Sequence, residues 1–244
     1  DSVLINDAVV NLDSNYKIDV PEGVDEITLQ FGSTMTYIEK MFSGLSNVVE
    51  IDFTHFDCSR VNRLKNLFED CSNLEKITFG NSFGAINSMY GMFSGCNKLT
   101  TIDLSVFDTS GVSDMQQLFK GCNSLTFLDL SNFVTSEVYS MEYMFSDCSS
   151  LTSLVISNNF NTEKVTSMKN MFSGCQLLTN LNFINFSTQN IATFENMFEG
   201  CKSLEELDLS SFGTSAANNM AKMFSGCSAL TSLVLSNFDT SQVT

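Results

Sequence analysis

The chain has 244 residues, 43% of them hydrophobic, with 22 phenylalanines, one proline and no tryptophan. Its formal charge of −16, from 12 Lys and Arg against 28 Asp and Glu, argues against nucleic acid and anionic membranes as partners, because phosphate is held by cationic side chains. No apolar run reaches the 18 residues of a membrane-spanning candidate, so direct membrane insertion of this segment is not expected.

Residues 1–23 carry no repeat, although Val9, Val10 and Leu12 offer apolar surface. They are expected to cap the N-terminal end of the array that follows. The chain starts at Asp1 with no signal-peptide pattern and stops at Thr244 midway through a unit, so both ends read as cuts. From residue 24 a motif Met/Leu-Phe-x-x-Cys-x-x-Leu recurs, its phenylalanine at Phe42, Phe68, Phe93, Phe119, Phe145, Phe172, Phe198 and Phe224. A period of about 26 residues marks a solenoid, whose units bury an apolar face only by stacking on neighbours. One domain over 24–244 is expected, with about nine repeats and the last one truncated.

Within a unit, Leu99, Ile102 and Leu104 end in the alternation of a short half-buried strand. The same trio recurs from Val48/Ile51/Phe53 to Leu230/Leu233/Leu235, and Val24/Ile27/Leu29 fits as a degenerate first copy. A polar turn with one apolar plug follows, at Phe56, Phe83, Phe107, Phe133, Phe160, Phe186, Phe212 and Phe238. A Thr two places on, as at Thr109 or Thr162, is expected to turn its methyl inward and its hydroxyl to local backbone. Val112, Met115, Leu118 and Phe119 have the spacing of one helical stripe, which predicts a helix of about two turns held by tertiary packing. The residue before the cysteine slot is Gly in six copies and Asp70 or Asp147 in the others, which predicts a left-handed stop. The fold class is therefore α/β: a right-handed leucine-rich-repeat-like solenoid, with a parallel sheet of about nine strands and short helices on the opposite face.

Seven cysteines share one slot, which Leu45 occupies in the first copy. A slot filled by Leu or Cys is a buried apolar slot, and neither a zinc spacing nor a disulfide geometry fits a column of side chains pointing one way. Cys58 stands where other copies have Thr and reads as a size-matched replacement, with an intermolecular disulfide open to it if that turn is exposed. His55, the one histidine, has no nucleophile arranged around it. No catalytic residue, cofactor site or metal site is expected.

The residues flanking the middle apolar position of each strand face outward. Phe127 and Val155 are apolar there, among Asp103, Asp129, Ser153, Asn180 and Asn182, and these seven form the candidate partner-binding surface. Asp103 and Asp129 stack on neighbouring units, but calcium needs six to eight oxygen ligands and no calcium-loop motif is present. Asn185-Phe186-Ser187 is a glycosylation sequon whose Phe falls in a buried slot.

Met92–Met115, MFSGCNKLTTIDLSVFDTSGVSDM, and Met223–Thr244, MFSGCSALTSLVLSNFDTSQVT, closely resemble the BspA-like leucine-rich-repeat surface proteins. The resemblance covers roughly residues 24–244; local departures are Leu45 for Cys, the Phe83–Ile86 stretch, and Ala217 where other copies have Val or Ile. It implies a secreted or cell-surface protein without shared catalytic residues. Its expected partner is a host, matrix or cell-surface protein, bound through the exposed sheet. A structural spacer or coat element that self-associates through the solenoid ends is the alternative.

Overall fold

The computed structural model describes the backbone of three N-terminal strands, Ser2–Ile5, Ala8–Val10 and Ile27–Gln30, and residues 36–244 except 81, 82, 184 and 185. These strands, β1 to β3, form an antiparallel sheet in the order β2-β1-β3, with Val3 opposite both Val10 and Leu29. Of the segment read as a first parallel copy, Val24 lies outside the described residues, while Ile27 and Leu29 lie on β3, which among those residues pairs only with β1, antiparallel, a correction to that reading. Two β-branched stretches upstream, SVLI and AVV, supply an antiparallel partner. Most of the expected cap over 1–23 lies outside the described residues.

From residue 36 the chain is a solenoid. Its backbone logic is clearest in the coil at Leu64. The amides of Leu64, Asn66, Phe68 and Asp70 donate to the carbonyls of Ser88, Tyr90, Met92 and Ser94 in the next coil, at 3.0, 2.8, 2.9 and 2.7 Å. The amides between them, of Leu67, Glu69 and Cys71, donate back three residues to Leu64, Asn66 and Phe68. Donation alternates outward and inward, and later coils repeat it: Gly91 to Gln116, Phe93 to Leu118, Gly95 to Lys120.

The expected two-turn helix is therefore a run of tight turns, and no helix occurs among the described residues. An isolated helix of that length would leave four amides and four carbonyls without partners. Alternating donation gives each group a partner in the turn or in the neighbouring coil. The sequence spacing could not separate the two, because turns closed three residues apart place the same side chains on one face. Alternation needs a left-handed residue twice per coil. One is the expected Gly/Asp stop, with φ of 59° at Asp70, 77° at Gly95 and 60° at Asp147. The other lies four residues earlier, at Lys40, Asn66, Gly91, Gln117, Tyr143, Asn170, Asn196 and Lys222, with φ between 54° and 59°. Asn or Gly fills four of those eight positions, a signal in the sequence that the helix reading passes over.

The continuous nine-strand sheet is also corrected. Six coil strands pair two by two, all parallel: β4 (Glu50–Asp52) with β5 (Lys76–Thr78), β6 (Phe127–Leu130) with β7 (Ser153–Ile156), and β8 (Glu206–Asp208) with β9 (Ser232–Val234). Among the described residues the coils around Asp103 and Asn182 carry no strand. Each break follows a coil with one extra residue before its plug: nine positions separate Leu74 from Phe83 and Leu151 from Phe160, against eight from Leu125 to Phe133. The extra residue coincides with the loss of pairing to the next coil, and that next coil, with the ordinary eight-residue spacing, makes no strand pair on either side among the described residues. The unbroken ladder lies instead where the tight turns begin, as single parallel bridges from Arg63 through Ser88, Asp114, Ser140, Ser167 and Thr193 to Asn219.

Three of the columns that run through the interior bear on the expectations above. The eight motif phenylalanines stack from Phe42 to Phe224, with neighbouring centroids 5.3–6.0 Å apart and rings within 13° of parallel. Beside them each thiol donates to the phenylalanine carbonyl of the preceding coil, as Cys71 to Phe42 at 3.0 Å and Cys122 to Phe93 at 3.1 Å. The slot therefore holds a small residue with a weak donor. The Thr column departs from expectation: its hydroxyls reach the next coil and not local backbone, as Thr109 to Val134 O at 3.0 Å and Thr162 to Ser187 O at 2.8 Å.

Candidate functional site on the exposed sheet

Phe127 and Ser153 are directly opposed across the β6–β7 pair, as are Asp129 and Val155. All four side chains face solvent because Leu128 and Leu130 take the core face. Phe127 is 45% exposed and Val155 39% exposed. They are diagonal neighbours on one face, which brings an aromatic ring and a branched aliphatic chain within reach of a single partner residue.

The aspartates of this surface have local work. Asp129 Oδ1 accepts the Ser131 amide at 2.8 Å, and Asp103 Oδ1 accepts that of Ser105 at 2.9 Å. Hydrogen bonds from the Ser131 hydroxyl and amide hold the Asp129 carboxyl below the usual range, and those of Ser105, amide first, do the same for Asp103. Asp52 and Asp208 turn their strands in the same way, onto Thr54 and Ser210. These carboxylates end strands with a side-chain-mimicked turn. Among the described residues no group of three or more His, Cys, Asp or Glu could hold a metal ion.

Asn180 and Asn182 are exposed on the strandless coil after β7. Asn180 Nδ2 donates to Thr179 Oγ1 at 3.4 Å. Asn182 lines a cleft of about 300 Å³ that opens between β7 and its own coil, with Val155 on the opposite wall. Leu154, Ile156, Leu181, Phe172 and Phe183 form its apolar interior. The sequence reading named Val155 and Asn182 but missed Ile156, Leu181 and Phe183. The pointer to them was the inserted residue in Ile156–Phe160, Ile-Ser-Asn-Asn-Phe against Leu-Ser-Asn-Phe at 130–133. Of the seven candidates, Val155 and Asn182 line this opening, while Phe127 and Asp129 lie on β6, on the other side of β7. Asp103 lies one coil before β6, and Asn180 precedes the lining residues Leu181 and Asn182 in the chain.

The remaining candidates are quickly placed. Cys58 is 1% exposed, and burial pushes its thiol up to about 12, so the turn does not offer a sulfur for intermolecular pairing. His55 is exposed beside Phe56. In the sequon, Phe186 is 5% exposed while Asn185 lies outside the described residues. No helix among the described residues is long and apolar enough to cross a membrane.

A family model described as Mycoplasma protein of unknown function, DUF285, matches residues 36–158 and 153–244. The chain belongs to this family. That agrees with the BspA-like resemblance carried by the Met-Phe-x-x-Cys motif. No curated protein matches. Similar solved structures include a leucine-rich cell surface protein from Faecalibacterium prausnitzii A2-165, 15% identical over 77% of this chain and 83% of that one, with a TM-score of 0.35. A leucine-rich repeat protein from Bacteroides ovatus ATCC 8483 is 20% identical over 81% of this chain and 63% of that one, at a TM-score of 0.27. Another from Eubacterium ventriosum ATCC 27560 is 15% identical over 81% and 69%, at 0.30.

Proposed function

We propose that the chain is a non-enzymatic cell-surface or secreted binding module that adheres to a host, matrix or cell-surface protein through its exposed sheet. The observation that carries this reading is the diagonal pair of half-exposed apolar side chains, Phe127 and Val155, of which Val155 also lines an apolar cleft. Interface energy concentrates in aromatic and aliphatic anchors that a partner can desolvate, and a cleft beside them receives the partner's own anchor. The surrounding Ser153, Asn180 and Asn182 supply the polar rim such contacts require.

Replacing Phe127 and Val155 together by serine should lower capture of partner protein on host-cell or matrix-coated surfaces at least tenfold. The urea midpoint should stay nearly unchanged, since neither side chain supports the core. Full attachment by the double variant would remove this face from consideration.

A structural spacer or coat element that self-associates end to end is the alternative reading. Sedimentation velocity separates the two: a concentration-dependent series of oligomers unaffected by the serine pair would favour assembly over capture.

A further inference from the structure

The tight-turn side of the solenoid, away from the paired strands, carries a groove of a different character. Its length is set by the unbroken bridge ladder, along which Ser88 and Asp114 follow Arg63 on successive coils. Small side chains, Ser88 and Ser113, form part of its lining, with Arg63 and Lys65 toward one end and Asp114 and Tyr139 toward the other. The hollow has a volume of about 420 Å³. Arg63 and Tyr139 stand three coils apart, about 14 Å at the usual strand spacing.

These side chains are held in place. Arg63 Nε lies 2.8 Å from Glu39 Oε1, on a carboxylate side chain only 11% exposed. The Lys65 ammonium sits 4.9 Å from the centroid of the Tyr90 ring, and the Tyr90 hydroxyl accepts from Gln117 Nε2 at 2.8 Å. Tyr139 is 47% exposed, leaving much of its surface to solvent. Burial first, then the Asp114 charge and a hydrogen bond with it, raise the Tyr139 hydroxyl above its ordinary pKa. A site whose polar groups are already anchored loses little entropy on binding.

The chemistry of this lining selects its ligand. A guanidinium and an ammonium donate, a carboxylate accepts, and serine hydroxyls do both. A sugar ring presents hydroxyls that each donate and accept, and an apolar C–H face that packs on an aromatic side chain. The lining pairs one aromatic ring with cationic, carboxylate, amide and hydroxyl groups, and a chain of charge −16 repels nucleic acid. We propose that this groove binds a short oligosaccharide, two or three rings laid along the coils, with one ring on Tyr139 and polar substituents toward Arg63 and Lys65. This surface is separate from the one proposed for protein capture.

The purified protein, applied to an array of defined neutral and acidic oligosaccharides of two to four residues, should be retained by at least one class. Titration calorimetry with that saccharide should show at least tenfold weaker binding for Tyr139→Ala and for Arg63→Gln. Tyr139→Phe, which keeps the ring, should retain most of it. The Phe127/Val155 serine pair should bind saccharide unchanged. Retention of neutral and acidic glycans alike would assign recognition to hydroxyls and ring stacking; retention of acidic ones alone would assign it to Arg63 and Lys65. Failure of every glycan to bind at millimolar concentration would overturn the proposal. So would binding that survives both groove substitutions.

Discussion

Phe119 is fully buried, its ring 5.4 Å from Phe93 and 6.0 Å from Phe145 and within 6° of parallel to both. Truncation to alanine removes the ring from the middle of a column whose neighbours are fixed by their own coils, so the cavity cannot collapse. Urea denaturation of Phe119→Ala should show a loss of about 3–5 kcal/mol; a loss below about 1 kcal/mol would place the ring in solvent. Such positions are legible because one residue type returns to one slot in every copy. Threonine was legible only in part. Its burial follows from the repeat, with Thr162 at 0% exposed, but the hydroxyl's partner, Ser187 O, lies 25 residues along the chain. Nothing in the local sequence distinguishes that carbonyl from the nearer ones.

At the scale of the coil, one inserted residue accompanies the loss of pairing after β7. β7 is bonded to β6 on one side, while its other side faces the cleft lined by Leu181 and Phe183. Deleting Asn158 would return this coil to the eight-residue spacing of its neighbours and bring residues 153–156 into register with 180–183. Hydrogen exchange of the amides at 180–183 should then slow, and the cleft should disappear from the variant's crystal structure. Exchange as fast as in the parent would detach the opening from the insertion. The turn segment teaches a related lesson. Met115 and Leu118 are spaced as in a helix, yet the amide of Gln117 crosses to Glu142 O at 2.9 Å and its φ is +57°. A stripe of apolar side chains reports which face is buried and not which hydrogen bonds bury it.

Across the whole molecule, the column of thiols makes stability depend on alkaline pH. Burial, the first cause in each case, pushes Cys71 up to about 11 and Cys201 up to about 12, and raises Cys96, Cys122 and Cys175 well above the ordinary value. In the unfolded chain these thiols ionise near about 8.5. Below that pH both states keep the proton and the full contribution is present. Above it the unfolded chain releases protons that the native chain retains, so stability falls as pH rises toward the native values. Urea midpoints measured in reductant should be flat between pH 7 and 8 and decline from about pH 8.5 to 11; a flat profile over that range would mean water reaches the sulfurs. The amino-acid order alone established the period, the parallel polarity of the coils and the identity of the stacked columns, because each follows from a side chain's type and its distance to the next copy. Only the folded chain decided that turns replace helices, that the ladder breaks into pairs, and that Ile156 and Leu181 face one another across a gap. Those features depend on which carbonyl each amide meets one coil away, and no local spacing specifies that partner.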